Sequence, residues 1–158
     1  MSELKYDSLP AMLSEDPGRR AQVIQDSVGV LDQEVSSKRG ASGLLIKGGF
    51  KVIKNLRGGK MVESLIDFLL DEFVEALDPF YQTYKGQDAG SRGSFAQYLS
   101  NRDQEVSDAL LGVTDARRER ANTKVLIKTY DRLRPTALKH VREAVPAVGQ
   151  LMEKHINL

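Results

Sequence analysis

Imidazole is the scarcest reactive group in this chain: there are two histidines, His140 and His155, and no cysteine. Without a thiolate, nucleophilic catalysis would need one of these rings as the base for a hydroxyl. His140 stands in KHVREAV with Glu143 three residues on, a spacing that holds a helical side-chain pair or half of a metal site. We read it as a surface or internally satisfied histidine. His155 falls near the end of the sequence, where fraying is expected. Asp67, Asp71, Glu75 and Asp78 recur at helical spacing, but on the polar side of an apolar helix. A carboxylate-bridged metal would need them turned inward, so they read as a solvated or salt-bridged face. The glycines of KGGFK and RGGK could present backbone N–H groups to an anion beside lysines. No stretch matches a phosphate-binding loop, because Gly59-Lys60 is followed by Met61. Glycine more often marks a helix crossing or a helix end. The expectation is no catalytic residue, no cofactor and no metal, hence no enzyme.

Charge is sorted along the chain behind a net charge of +1. From Val35 to Val62 the only charged residues are Lys38, Arg39, Lys47, Lys51, Lys54, Arg57 and Lys60. From Met61 to Tyr84 they are Glu63, Asp67, Asp71, Glu72, Glu75 and Asp78. A second basic excess runs from Arg117 to Arg142. Within it, Arg117, Arg120, Lys124, Lys128 and Arg132 would share an arc of ~120° on one continuous helix, a stripe ~20 Å long. Such a stripe can track phosphates. Asp131 lies inside the arc and weakens it, Tyr130 faces the apolar side, and the stripe reads first as a solvated one or one paired with the acids at 63–78.

The elements that must position these groups are helical almost throughout, and about eight helices are expected, several of them short. Asp7 or Ser8 can cap the first. Asp16-Pro17 reads as the start of the second, which Gly40 would end. Ser42 can cap a third to about Leu56, in which Leu45, Ile46, Gly49, Phe50, Ile53 and Leu56 share one arc opposite Lys47, Lys51 and Lys54. Gly48-Gly49 inside it predicts a close crossing or a kink. Residues 61–77 form the most apolar helix, and the tight glycine turn before it predicts a hairpin in which lysines face carboxylates. Pro79, Pro135 and Pro146 read as restarts, and residues 86–93 as a surface loop, after which Ser94 caps a short segment carrying Phe95, Tyr98 and Leu99. Asp103 to Leu111 is expected as a helix closed by Gly112, with Thr114 capping a longer one to Leu133.

The strings SGLLIKGGFKVIK, EFVEALDPFYQTY, GSFAQYL, ALLGVTDARRER, YDRLRPTALKHV and VPAVGQLMEKH, in that order, resemble an uncharacterised family of short all-helical proteins from actinobacteria. The likeness runs from about Asp7 to His155. One departure lies at NLRGGK, residues 55–60, where a proline-containing turn is expected and two glycines stand. The resemblance implies a bacterial, cytosolic, all-helical protein and carries over no site residue.

The totals agree with that class. A chain of 158 residues, 41% hydrophobic and 28% charged, fits one all-α domain, residues 1–158, with a sizeable core. No apolar run approaches the ~20 residues that span a bilayer. MSELKYDSLP lacks a signal peptide's basic and apolar regions, and a cytoplasmic location is expected. The leading expectation is a non-enzymatic helical interaction module, self-associating as a homo-oligomer or binding a protein partner. One alternative is nucleic acid or an anionic lipid held through Arg117, Arg120, Lys124, Lys128 and Arg132. The other is a small-ligand carrier or enzyme with an unrecognised pocket.

Overall fold

Two serines begin helices as their sequence context dictates. Ser8 Oγ accepts the Ala11 N–H at 3.1 Å, and Ser94 Oγ accepts the Gln97 N–H at 3.1 Å, each satisfying a donor that the first helical turn leaves without a partner. The computed structural model describes residues 4–158. Its chain order is α1 (Leu9–Glu15), α2 (Arg19–Ser36), α3 (Gly40–Lys54), a 3-10 turn (Leu56–Gly59), α4 (Met61–Lys85), α5 (Phe95–Ser100), α6 (Asp103–Arg120) and α7 (Lys124–Ile156). The fold is all-α, with no strand among the described residues. None of the described helices is long and apolar enough to cross a membrane.

One core joins the N-terminal segment to both long helices. Tyr6, Leu9 and Met12 pack with Val74, Leu77 and Tyr81 of α4, Phe95 and Leu99 of α5, Val106 of α6 and Val145, Met152 and Ile156 of α7. Its aromatic centre is Tyr81, Tyr84, Phe95 and Tyr98. Tyr81 meets Phe95 edge-on at 5.4 Å between ring centroids, and its hydroxyl donates to the Tyr6 carbonyl at 2.7 Å. Burial pushes the Tyr81 phenol up to about 12, so it remains a donor at any ordinary pH. Residues 86–93 lie between α4 and α5, as read from their glycines, and the Tyr84 hydroxyl closes on the Gly93 carbonyl at 2.7 Å.

Several boundaries depart from the sequence expectation. Asp16 ends α1, and Gly18, at φ +80°, precedes α2. The prolines do not restart helices: Pro79 lies inside α4, and Pro135 and Pro146 lie inside α7. All three face solvent, where water can take a displaced carbonyl. Buried residues on both sides, such as Leu77 and Tyr81, or Val145 and Gly149, hold each helix together and offset a cost of ~3 kcal/mol per proline.

The largest correction concerns Gly112 and Thr114. Both are interior to α6, and Thr114 Oγ donates to the Leu111 carbonyl at 3.1 Å instead of capping a helix. The chain turns later, at 121–123. An added Cβ at Gly112 would meet nothing within 4 Å. Gly112→Ala is therefore expected to raise stability by about 0.5–1 kcal/mol in urea unfolding. A loss of stability would mean that the chain breaks there after all.

Candidate functional site

The two histidines sit at opposite ends of α7's buried face, and each ties that helix to another. His155, expected at a frayed end, is completely buried. Its Nδ1 lies 3.1 Å from Arg19 Nη1, and its Nε2 lies 2.7 Å from Asp26 Oδ2. A guanidinium can only donate, so Nδ1 accepts and the proton sits on Nε2, pointing at the carboxylate. Burial is the main cause that lowers the ring's pKa. Asp26 also takes Lys154 Nζ at 2.8 Å, and Asp16 takes Lys5 Nζ and the Tyr6 hydroxyl. The Arg19 and Asp26 contacts bind the C-terminal end of α7 to α2, and those of Asp16 tie the end of α1 to the segment before it.

His140 pins α7 to α3. Its Nε2 is 3.1 Å from Ser42 Oγ, and its Nδ1 is 3.4 Å from Glu143 Oε1. The order Ser–His–Glu is that of an acyl-transfer triad, but the geometry does not serve that chemistry. His140 Nδ1 has no hydrogen-bond partner. The Glu143 carboxylate is held instead by the buried Lys38 ammonium at 2.9 Å, which also donates to the His140 carbonyl at 3.3 Å. Burial, then the Lys38 charge, lower the ring's pKa, while Lys38 lowers that of Glu143. The cluster ties the start of α3 and Lys38 before it to the middle of α7, and leaves the carboxylate poorly placed to stabilise an imidazolium.

The charge blocks pair differently from the expected hairpin. The acids of α4 are taken by α2 and α6: Arg20 reaches Asp67 at 3.1 Å and Asp71 at 2.7 Å, and Arg117 reaches Glu72 at 2.9 Å. Gln25 donates to Glu63. The anticipated basic stripe is divided between two helices, because Arg117 and Arg120 belong to α6 and Lys124, Lys128 and Arg132 to α7. Within that region Arg118 pairs with Asp131 at 2.7 Å, Arg134 with Asp115 at 2.9 Å and Arg142 with Asp103 at 3.3 Å. Among the described residues, Lys47, Lys51, Lys124, Lys128, Arg132 and Lys139 have no carboxylate partner, and of the α3 lysines only Lys54 has one, Asp32 at 3.7 Å.

Gly49 sets how α3 and α7 face each other. A Cβ there would stand 2.9 Å from Leu133 Cδ1 and 3.1 Å from Thr129 Cγ2. Ser42 lies opposite His140 and Gly49 opposite Leu133, so the helices are antiparallel. At about 100° per residue, turning one way from Gly49 leads to Ile46 and Ile53, which are partly buried. Turning the other way leads to Leu45, Gly48, Val52 and Leu44. On α7 the matching outward turn leads to Val125, Arg132 and Lys128. The two outer rows thus form one face. Leu44 is 69% exposed, Leu45 43%, Val52 46% and Val125 43%. Lys47 and Lys51 flank this apolar strip on the α3 side, and Lys124, Lys128, Arg132 and Lys139 flank it on the α7 side. Beside it an open groove of about 660 Å³ runs between α2 and α3, lined by Val35, Phe50, Lys47, Lys51 and Lys54 among others.

Leu44, Val52 and Val125 are not among the site residues the sequence suggests, and Leu45 stands there only on the apolar arc of the third helix. One signal could have found them. Counting both faces, α3 is apolar around more than half its circumference, wider than the ~100° stripe a surface helix buries. Gly43 is its only fully buried residue.

A family model described as a family of unknown function, DUF6918, matches residues 10–156. No curated protein and no solved structure matches the chain.

Proposed function

We propose, from the premise that the chain belongs to this family of unknown function, that it is a non-enzymatic docking module. Its partner is anionic and sits on the outward face of α3 and the first half of α7. The observation that carries this reading is the strip of Leu44, Leu45, Val52 and Val125, exposed between two rows of basic side chains without carboxylate partners. A contiguous apolar strip rimmed by charge is the signature of an interaction site. The charge selects the partner's sign. An isologous pairing of two such faces would set lysine against lysine, which disfavours the homo-oligomer on this surface.

The test is native mass spectrometry of the protein purified from the cells that make it, at low and high salt. Added mass that salt strips away is expected for the wild type, and the bare chain for a Leu44→Asp/Lys51→Glu double variant. Both residues are exposed, so the variant should keep its fold. A wild type that is bare at both salt concentrations and also fails to bind anionic vesicles would remove the proposal.

A further inference from the structure

We infer that the partner is an anionic lipid bilayer, on which the protein lies peripherally through the outward α3/α7 face. This rests on the docking reading above and names its partner. The apolar residues occupy the crest of a helix, with Gly48 between Leu44 and Val52, and the open groove beside them is lined by Phe50, Lys47, Lys51 and Lys54 and by none of Leu44, Leu45, Val52 or Val125. A protein helix needs a complementary furrow to bury its own apolar face, whereas a bilayer accepts isolated protruding aliphatic side chains without any match of shape. The basic residues stand on both sides of the strip. When the face lies flat, Lys47 and Lys51 on one flank and Lys124, Lys128 and Arg132 on the other reach headgroup phosphates together, their stems passing beside the buried aliphatics.

Duplex nucleic acid fits less well, because its phosphates would meet the aliphatic strip that separates the two rows. The residues that would enter the interface carry no acid of their own. The carboxylates of Glu143, Asp131 and Asp32 are held by Lys38, Arg118 and Lys54 respectively.

Co-sedimentation of the full chain with large vesicles tests this directly. One set is phosphatidylcholine alone, the other an equal mixture of phosphatidylcholine and phosphatidylglycerol. The wild type is expected to pellet with the mixed vesicles at low salt and to remain in solution with phosphatidylcholine. Lys51→Glu/Lys128→Glu is expected to weaken partition by more than about tenfold, and Leu44→Asn/Val52→Asn by about tenfold. Circular dichroism should show both variants folded, since all four positions face solvent.

A wild type that stays in the supernatant with mixed vesicles overturns the inference. So does a Leu44→Asn/Val52→Asn variant that pellets like the wild type, because adsorption by charge alone needs no aliphatic strip. Salt-labile protein mass in the spectrometer without vesicle binding would remove the lipid and leave the docking reading intact. Bare chains in the first experiment and no vesicle binding in the second would remove both.

Discussion

Gly149→Ala is expected to lower the thermal midpoint by about 2–12 °C, and Gly149→Val to lower it further. Gly149 is the point where α7 crosses α5. A Cβ there would stand 3.0 Å from the Ala96 Cα and 3.1 Å from the Ala96 carbonyl oxygen. These are backbone atoms, so no rotamer change can relieve the contact. To make room α5 would have to move, and it carries Phe95, Tyr98 and Leu99 in the core, while its Ala96 N–H donates to Glu153 at 3.0 Å. Overpacking of this kind costs about 1–3 kcal/mol, and each kcal/mol is worth about 2–4 °C in a chain of this size. Gly48→Ala is the control. It lies in the interior of α3 with nothing within 4 Å of an added Cβ, so the helix gains about 0.5–1 kcal/mol. Calorimetry on the two variants should show midpoints moving in opposite directions. A neutral Gly149→Ala would mean that α5 and α7 do not cross so closely.

What was legible in the sequence was what local chemistry decides. The caps at Ser8 and Ser94, the loop at 86–93 and the buried face of α4 follow from residues within a few positions of one another. Gly49 was also readable as a crossing, though its partner on α7 was not. Boundaries decided by packing were misread. Pro79 and Gly112 carry local signals for a break, yet both helices continue, because buried residues on either side outweigh a local preference. The charge blocks failed for a related reason. Adjacent stretches of opposite sign suggest a hairpin, but Arg20, which lies outside both basic blocks, captures Asp67 and Asp71. Arg117 captures Glu72, a pairing of the second basic block with the α4 acids that the sequence does allow for. That partner choice left the α3 lysines beside a free apolar strip, and the candidate site depends on it more than on any motif.

Removing the His155 side chain should be the more damaging change, and it should also alter how stability responds to pH. His155→Ala leaves Arg19, itself buried, with no acceptor for Nη1 beside an Nε that already has none. Breaking a buried polar pair from one side costs about 3–5 kcal/mol, measurable as a lower urea midpoint at neutral pH. In the wild type the ring is held neutral, with its pKa below the ordinary 6.5. As pH falls through that value the unfolded chain takes up the proton first, so it binds more protons than the folded chain and stability declines. The stabilisation is fully present above pH 6.5 and is lost as pH falls towards the folded pKa. Protonation would set an Nδ1–H against the Arg19 donors, and the Asp26 carboxylate compensates only in part. His140 shifts in the same direction. His155→Ala should therefore reduce the loss of stability between about pH 7 and pH 5 without abolishing it. Asp16 and Asp26, both with lowered pKa values, act in a separate window. Their contribution is present above the ordinary carboxylate pKa of 3.8 and is lost only below it. Urea titrations at a series of pH values separate the two windows. A pH dependence identical in wild type and variant would show that His155 does not carry the neutral bridge between Arg19 and Asp26.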